Sequence, residues 1–291
     1  MKIRVGSRES KLAVAQSLLV MEAIRQAHPE VDLELITMKT TGDRILDRTL
    51  DQVGGKGLFV KELDRALLDG RVDITVHSMK DLPMELDPRL PLAAVSRRED
   101  PRDVLVLPAG TAEWDRKKPI GCASARRKLQ LQRLYPGCQV LPVRGNVLTR
   151  LEKLDHGEYG ALVLASAGLR RLGLEHRISR YFSPDELLPA AGQGVLAVQC
   201  RAGWDTGLLQ CVHHQATAAA VTAERAFVQA LDGGCSSPVS AFATVENGLV
   251  TLRGLMPLQT GGYCIRQSSG LAKEAAQTGA SLALQMKEEL S

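Results

Sequence analysis

The feature that most restricts how this chain can fold is an alternation of short apolar segments with segments of helical apolar period. In the first hundred residues the order is strand, helix, strand, helix, strand, which indicates an α/β domain. Residues 40–57, between the second strand and the second helix, are polar and glycine-rich without a clear period. The predicted strands here are 2–5, 33–38 and 73–77, and the predicted helices are 10–28 and 58–68.

The alternation begins again after residues 96–102, which are charged and turn-like. It predicts a second α/β unit with strands at 104–107, near 120, at 139–143 and at 161–164, and helices at 125–135 and 147–154. The remainder differs, because its strands follow one another directly and Glu246-Asn247-Gly248 reads as a hairpin turn. We predict a strand at 194–199 and, after it, a small α+β unit with strands at 239–245, 249–255 and near 263–267, and helices at 217–231 and 272–290.

Composition excludes several functions. The 291 residues include 37 basic and 33 acidic side chains, and a net charge of +4 does not demand a nucleic-acid partner. Only 3% of residues are aromatic, so a base-stacking surface is hard to assemble. No apolar run approaches the ~20 residues that span a bilayer, and the first ten residues have no secretory character. We therefore expect a cytoplasmic protein with no nucleic-acid and no membrane partner.

The six cysteines are scattered and include no C-x-x-C pair. Cys211 with His213 and His214 is the one metal-like cluster, but ligands at finger-like spacing are missing, so we interpret it as a helix surface and predict no metal site. Cys235 lies in the segment DGGCSSP, where two glycines allow close approach of the backbone. We expect an accessible loop thiol, although such a thiol is inert unless its thiolate is stabilised.

Four predicted strand-to-helix junctions carry arginine or small polar residues. The free N–H groups of a helix start and a guanidinium together form an anion cradle, whereas one such junction alone is more often a simple cap beside a solvated arginine. In a two-lobed α/β layout the strand ends face a common cleft, so several junctions favour an anion site. GGKG and GQG match no nucleotide-binding motif, so the anion need not be a phosphate. Carboxylates suit arginine side chains as well as phosphates do. The junctions are 7–10, 124–127, 144–146 and 165–168.

The segment HSMKDLP directly follows the strand predicted at 73–77, and so places Lys80 and Asp81 at that strand's carboxyl end. Asp81 is the strong acid–base candidate, and a turn aspartate before proline is the alternative. A carboxylate flanked by lysine stays ionised more readily, which suits the stabilisation of a cationic intermediate.

These segments together resemble the porphobilinogen deaminase family, and the similar motifs follow the family's order along nearly the whole chain. They are GSRESKLAVAQ (6–16), GDRIL (42–46), VGGKGLFVKELD (53–64), DITVHSMKDLP (73–83), REDPRDV (98–104), SARRKLQL (124–131), RGNVLTRLEKLD (144–155), LASAGLRRLG (164–173), LPAAGQGVLAVQC (188–200), VTAERAF (221–227) and LDGGCSSPV (231–239).

The resemblance implies two α/β domains like type II periplasmic binding proteins and a small C-terminal α+β domain that carries a cofactor-anchoring loop. With the segmentation above, we predict domain 1 at 1–97 plus about 194–212, domain 2 at 98–193 and domain 3 at 213–291. The resemblance further implies a transferase of haem and porphyrin biosynthesis with a dipyrromethane cofactor bound through a thioether. It would remove ammonia from porphobilinogen, join four such units head-to-tail to the cofactor and release linear hydroxymethylbilane. Porphobilinogen and the growing polypyrrole chain are the expected partners, and a monomer is expected.

The same resemblance assigns roles to individual residues. Cys235 matches the cysteine that anchors the dipyrromethane, and Asp81, with Lys80, is the expected catalytic group, because loss of ammonia leaves a cationic azafulvene. Each pyrrole carries an acetate and a propionate, which arginines would neutralise, and Lys56 would belong to a lid over the cleft. The expected cofactor- and substrate-binding residues are Arg8, Ser10, Gln16, Lys56, Ser124, Arg126, Arg127, Arg144, Gly145, Asn146, Arg150, Ser166 and Gln193.

Two other functions stay open at this point. A non-catalytic two-lobed protein that binds a carboxylate or another anion would present the same junctions. Cys235 as a nucleophile for acyl transfer is a third possibility, but the loop offers no histidine or other base beside it. The chain also departs from the family's usual residues at Cys122, Ala125 and Ser236-Ser237, and Cys122 would add a second thiol to the cleft.

Overall fold

A computed structural model describes residues 1–44, 60–233 and 237–290 of the chain. Within these ranges the strands form three sheets. The strands are β1 (Lys2–Arg8), β2 (Asp32–Met38), β3 (Ile74–Ser78), β4 (Leu92–Val95), β5 (Asp103–Val106), β6 (Ile120–Gly121), β7 (Val140–Leu141), β8 (Ala161–Ala165), β9 (Arg180–Tyr181), β10 (Leu196–Cys200), β11 (Ser240–Glu246), β12 (Leu249–Pro257) and β13 (Tyr263–Leu271). The helices are α1 (Lys11–Ala27), α2 (Thr41–Arg44), α3 (Lys61–Leu68), α4 (Ala125–Leu134), α5 (Val147–Asp155), α6 (Ser166–Arg171), α7 (Gln215–Ala230) and α8 (Ala275–Leu290), with 3₁₀ turns at Met79–Asp81, Glu175–Arg177, Gly207–Leu209 and Ala272–Glu274.

The first sheet has the order β2-β1-β3-β10-β4. Strand β1 runs parallel to β2 and β3, so the carboxyl ends of β1 and β3 meet at one edge of the sheet. Strand β10 is antiparallel to both β3 and β4 and lies between them, although about a hundred residues separate it from either. The three strands predicted in the first hundred residues are confirmed, and β4 is an additional strand that the apolar pattern did not reveal.

The second sheet has the order β7-β6-β8-β5-β9. Strand β6 is parallel to β7 and β8, and β5 is antiparallel to β8 and β9. The predicted strand at 139–143 is only two residues long, and the two-residue strand β9 was not predicted. Segments of this length contain too few residues to show an apolar period, so hydrogen bonding to a neighbouring strand decides them.

Two chain segments join the first two sheets. The chain leaves the first sheet after β4, enters the second at β5, leaves it after β9 and returns at β10. Residues 96–102 and 182–195 therefore connect the two α/β units, which explains why a strand from late in the sequence completes the first sheet. The domain boundaries themselves stay a prediction.

The third sheet is an antiparallel meander of β11, β12 and β13. The predicted hairpin is confirmed: Glu246 pairs with Leu249, and both intervening residues, Asn247 and Gly248, have positive φ angles of 50° and 77°. Helices α7 and α8 cover this sheet, and the fully buried Phe227 of α7 lies against Gly254, where an added Cβ would come within 2.3 Å of its ring.

The interpretation of Cys211, His213 and His214 as a helix surface is wrong. These residues lie in the turn and extended segment that precede α7, and the Nδ1 of His214 accepts a hydrogen bond from the backbone N–H of Thr217, capping that helix. In the described ranges no group of three or more His, Cys, Asp or Glu side chains is arranged to hold a metal ion. None of the described helices has the length and apolar character needed to cross a bilayer.

Candidate active site

A cavity of about 100 Å³ lies between the first two α/β units. One wall comes from α1 and from the residues at the end of β3, and the other wall comes from helices α4, α5 and α6 of the second unit. Four residues of the predicted site, together with a further arginine, bring polar groups to this cavity. They are Gln16, Lys80, Arg127, Arg150 and Arg171.

Asp103, the first residue of β5, organises the polar groups beside this cavity. Its side chain is fully buried and forms ion pairs with Arg126 and Arg127, each at 2.7 Å. Gln193 donates a further hydrogen bond of 2.9 Å from its Nε2 to the same carboxylate. Burial raises the pKa of the Asp103 carboxyl, but the two guanidinium groups outweigh burial and hold that pKa well below its ordinary value. Asp103 is therefore a permanently charged buried carboxylate.

The two arginines use their N–H groups differently. Arg127 donates from Nε and Nη2 to one oxygen of Asp103, at 3.0 and 2.7 Å, and from Nη1 to the carbonyl of Val163 at 3.0 Å. Arg126 donates only from Nη1, to Asp103 and to the carbonyl of Leu188, at 2.7 Å each. Its Nε is buried and has no hydrogen-bond partner within the described part of the chain. The described residues thus make no hydrogen bond with the Nε/Nη2 edge of Arg126, and an edge of this kind suits a bidentate carboxylate.

Lys80 and Arg150 add positive charge at the cavity. The Nζ of Lys80 donates to Oε1 of Gln193 at 3.3 Å, and the Nε of Arg150 donates to the carbonyl of Gly145 at 2.8 Å. Burial, and then the positive charge of Arg127, lower the pKa of Lys80 to about 8 and that of Arg150 to about 10. Burial disfavours the charged forms of both side chains, so a bound anion would stabilise those charged forms.

Asp81 lies on the 3₁₀ turn Met79–Asp81, immediately after β3. The turn is fixed to the second connecting segment, because the backbone N–H of Met79 donates to the carbonyl of Val195 at 2.9 Å. The half-buried carboxylate of Asp81 acts to raise the pKa values of both Lys80 and Arg150, so it lies within electrostatic reach of each. A carboxylate beside two cations, with its own surface partly open, is suited to stabilise a cation that forms in the cavity.

Three of the predicted site residues cap helices. The side chain of Ser10 accepts the N–H of Ala13 at the start of α1, and that of Ser124 accepts the N–H of Arg127 at the start of α4. Asn146 caps α5 in the same way, with the N–H of Thr149 donating to its Oδ1. Capping uses only the oxygen lone pairs of a serine, so the hydroxyl protons of the two serines remain able to donate to a ligand.

Other predicted residues lie around the edge of this group. Arg8 ends β1 near His77; burial and the charge of Arg8 lower the pKa of that imidazole to about 3, so it is neutral. Arg144 lies close enough to Arg150 to lower its pKa. Ser166 is buried at the start of α6, next to the cavity residues Ala165 and Ala167. Gln16 of α1 donates from Nε2 to the Ser78 hydroxyl at 2.9 Å, which joins that helix to the end of β3.

The second connecting segment is held by the third unit. Glu224 of α7 is fully buried and accepts hydrogen bonds from the guanidinium of Arg98 and the N–H of Gly192, both at 2.7 Å, and from the N–H of Ala243 at 2.8 Å. Gly192 has a φ of +72°, and a Cβ on it would lie 2.4 Å from the Cγ of Met79. A glycine is therefore required where this segment passes the turn that carries Asp81.

Sequence reasoning missed three residues of this site. Asp103 and Arg98 lie in the REDPRDV motif and were given no role at the site, and Arg98 falls in the segment 96–102 that was interpreted as a charged turn. Asp103 is the buried partner of two arginines, and Arg98 binds Glu224. Arg171 lines the cavity and donates from Nη2 to the carbonyl of Gly194 at 2.6 Å; burial lowers its pKa to about 10. The available signal was the position of each residue inside a resembling motif.

Two predicted site residues, Lys56 and Cys235, lie outside the described residues, and so does the chain directly before Lys56, which was predicted to form the lid with it. In the sequence, the described residues nearest to position 235 are Gly233 and Ser237. Gly233 donates its N–H to the carbonyl of Val228 at 2.9 Å, and the hydroxyl of Ser237 accepts the N–H of Val239. Gly233, the last described residue before position 235, lies three residues beyond the end of α7, the helix that also carries Glu224.

Fold and site together define a class of protein: two α/β units that enclose a buried, cation-rich cavity, joined to a third unit that anchors the connection between them. Comparison with family models identifies two matches, the porphobilinogen deaminase dipyrromethane cofactor binding domain over residues 3–208 and the porphobilinogen deaminase C-terminal domain over residues 218–288. The chain belongs to the porphobilinogen deaminase family, whose members are transferases with a dipyrromethane cofactor.

Individual relatives agree with this assignment. The chain is 57% identical over 286 residues to the porphobilinogen deaminase of Acetivibrio thermocellus, covering 98% of each sequence. It is 59% identical over 289 residues to that of Alkaliphilus oremlandii, covering 99% of this chain and 98% of the relative. Among solved structures, the periplasmic aliphatic sulphonate binding protein SsuA from Escherichia coli is similar with a TM-score of 0.42 and 10% identity, over 79% of this chain and 70% of that one.

Proposed function

We propose that this chain deaminates porphobilinogen and joins four such units head-to-tail on a dipyrromethane attached through a thioether to Cys235, then releases linear hydroxymethylbilane. In this proposal Asp81 is the catalytic carboxylate, and Lys80 is the cation that accompanies it. The observation that carries the proposal is the buried Nε of Arg126, which has no hydrogen-bond partner among the described residues, in a group of cations whose members Lys80 and Arg150 lie within electrostatic reach of Asp81.

The residues at the cavity fit the cofactor of this family. A dipyrromethane that bears acetate and propionate groups is a polycarboxylate, and guanidinium groups bind carboxylates in a bidentate manner. Arg126 has such an edge available, and burial lowers the pKa values of Lys80 and Arg150 in a way that a bound carboxylate would reverse. When bound, the dipyrromethane supplies a tethered pyrrole whose free end accepts each new unit.

Asp81 acts where positive charge develops. As the carbon–nitrogen bond of porphobilinogen breaks and ammonia leaves, positive charge spreads over the pyrrole ring and its N–H. The Asp81 carboxylate accepts a hydrogen bond from that N–H and stabilises the cation, and the partly open surface of Asp81 leaves room for this contact. Lys80 and Arg150 lie within electrostatic reach of the Asp81 carboxylate.

The remaining site residues hold the carboxylates of the substrate and the chain. Arg126, Arg144 and Arg150 bind them directly, and the hydroxyl groups of Ser10 and Ser124 donate further hydrogen bonds at the starts of their helices. In the same proposal, substrate and cofactor are also bound by the other residues predicted from the sequence. These are Arg8, Gln16, Lys56, Arg127, Gly145, Asn146, Ser166 and Gln193.

Intact-mass measurement tests the proposal. The protein purified from a cell that makes porphyrin precursors should exceed the mass of the bare chain by one dipyrromethane, and added porphobilinogen should increase the mass in equal steps. Cys235→Ser should remove the extra mass and the turnover, whereas Cys211→Ser, a change at an exposed thiol, should remove neither. A catalytically competent protein with the mass of the bare chain would contradict the proposal and favour a carboxylate-binding protein.

We also propose that the protein is a cytoplasmic monomer with domain boundaries at 1–97 plus about 194–212, at 98–193 and at 213–291. The return of the chain to the first sheet at β10 supports the discontinuous first domain. Light scattering coupled to size exclusion checks the monomer, with 31.5 kDa as the expected mass before cofactor attachment. Limited proteolysis should cut near residues 97 and 213 if the boundaries are correct.

A further inference from the structure

We propose that Asp103 is a positioning residue that holds Arg126 with its Nε/Nη2 edge directed at a carboxylate of the substrate or cofactor. The proposal rests on the proposed function, because it takes Arg126 to be one of the groups that bind pyrrole carboxylates. Asp103 does not touch the ligand in this arrangement. It acts through the two arginines and through Gln193.

The hydrogen bonds of Arg126 define which edge is presented. Both N–H groups of its Nη1 are used, one on Oδ2 of Asp103 and the other on the carbonyl of Leu188. Two acceptors on one nitrogen fix the plane of the guanidinium as well as its position. The Nε and Nη2 then form the only complete pair of adjacent donors that Arg126 has left within the described part of the chain.

Arg127 has a different role from its neighbour. Its Nε and Nη2, the pair that would bind a carboxylate side-on, already donate to Oδ1 of Asp103. Arg127 therefore supports the carboxylate that positions Arg126, and only single N–H groups of Arg127 remain for a ligand. The two arginines are adjacent in sequence and equally conspicuous there. Arg127 lines the cavity, whereas the adjacent pair of donors that the described residues leave open belongs to Arg126, beside it.

Asp103 is itself held from several sides. It is fully buried at the start of β5, where its backbone pairs with Ala165 of β8. Gln193 donates from Nε2 to Asp103 at 2.9 Å and to the carbonyl of Pro101 at 2.7 Å, and its Oε1 accepts the Nζ of Lys80. One hydrogen-bonded network thus runs from Arg126 through Asp103 and Gln193 to Lys80, across both connecting segments.

The balance of charge agrees with this arrangement. Asp103 supplies one negative charge to two buried guanidinium groups, whose side chains are only 4% and 7% exposed. Burying a surplus positive charge is costly unless a second carboxylate is bound. A carboxylate on the free edge of Arg126 would supply that second negative charge. Arg126 would then have a ligand carboxylate on its free edge, while Arg127 keeps its two hydrogen bonds to Oδ1 of Asp103.

A simpler role for Asp103 would be to neutralise the arginines without aiming them. Asp103→Glu distinguishes the two roles, because it keeps the charge and displaces the carboxylate by one methylene. Positioning predicts that Asp103→Glu raises the KM for porphobilinogen at least tenfold, with a kcat within about threefold of the parent. Simple neutralisation predicts an unchanged KM. Asp155→Asn removes an ion pair to Arg177 away from the cavity and serves as the control, with both parameters unchanged.

A double-mutant cycle supplies a second test. Arg126→Lys, which removes the bidentate edge, should raise the KM at least tenfold in the parent but less than threefold in Asp103→Glu, because the edge is already misdirected there. Effects that multiply would overturn the proposal. Cofactor occupancy, read from intact mass after exposure to porphobilinogen, should fall in both single variants and not in the control, which gives a readout independent of turnover.

A further pair of variants keeps the test decisive if Asp103→Glu does not fold. Arg126→Lys should raise KM more than Arg127→Lys does, whereas Arg127→Lys should lower the melting temperature more than Arg126→Lys does. The opposite distribution would overturn the assignment of the two arginines. If Cys235→Ser retains turnover, the proposed function fails. If that variant is inactive and Asp103→Glu keeps the parental KM, only the positioning role fails.

Discussion

Lys80 should make ligand binding depend on pH near pH 8. Its pKa is lowered from 10.5 to about 8, chiefly by burial and then by Arg127. At about 1.4 kcal/mol per pH unit, this lowering corresponds to a penalty of roughly 3 kcal/mol on charged Lys80 in the folded chain. The penalty is fully present below pH 8. Between pH 8 and 10.5 the unfolded chain binds the proton more tightly than the folded chain does, so this group makes the free energy of unfolding rise with pH.

Burial favours neutral Lys80, whereas a ligand carboxylate binds charged Lys80 better than neutral Lys80. The affinity for an anionic substrate should therefore fall as pH rises through 8. At pH 9 about one-tenth of the cofactor-free protein still carries the proton, and the porphobilinogen concentration that half-saturates cofactor loading should be roughly tenfold higher than at pH 7. The effect reports the charge of one side chain and not a change in fold.

The assay compares the parent with Lys80→Arg, whose guanidinium stays charged over this range. Cofactor loading of the cofactor-free chain is read from intact mass, and the half-saturating porphobilinogen concentration of the parent divided by that of Lys80→Arg cancels the titration of porphobilinogen itself. This ratio should be constant below pH 8 and should rise by up to tenfold per pH unit above it. Lys128→Arg, a change at an exposed lysine on α4, should give a constant ratio throughout. A constant ratio from pH 7 to 9.5 for Lys80→Arg would refute the reasoning.

Three further predictions concern stability and catalysis. Gly192→Ala combines a positive φ with a Cβ in contact with Met79 and should cost about 3 kcal/mol, whereas Gly203→Ala, with a positive φ and open space, should cost only about 1 kcal/mol; equal losses in melting temperature would contradict the steric argument. Glu224→Gln should cost about 3 kcal/mol and lower the melting temperature by roughly 6–12 °C, because it leaves a buried guanidinium uncompensated; a shift below 2 °C would mean that the pair is not buried in solution. Asp81→Ala should lower kcat at least ~100-fold and leave the melting temperature nearly unchanged, and a parental kcat would remove Asp81 from the catalytic role.

The buried thiol of Cys122 lies within electrostatic reach of Arg126 and Arg127. Burial raises the pKa of this thiol, although Arg127 and Arg126 act to lower it, so it remains protonated at neutral pH. Its Sγ lies 3.5 Å from both the N–H and the carbonyl of Ser124. A protonated, buried thiol packed on its own loop does not compete with Cys235 as a nucleophile.

The amino-acid sequence was sufficient for the local features of this protein. Its apolar periods predicted the strands β1, β2 and β3, and the polar residues before α1, α4 and α5 proved to be helix caps at Ser10, Ser124 and Asn146. These features depend on neighbours within a few positions, where the periods of helix and strand and the unpaired N–H groups of a helix start dominate. The motifs also predicted the family, which comparison with known proteins confirmed.

Only the tertiary structure decided how the arginines are used. Nothing in SARRKLQL distinguishes Arg126 from Arg127, and nothing in REDPRDV indicates that Asp103 is buried between them. That arrangement arises because the chain crosses twice between the first two sheets and brings Gln193 to a carboxylate 90 positions away. Which edge of a guanidinium stays open depends on which distant acceptors the fold delivers to it. A pattern of neighbouring residues carries no record of those acceptors.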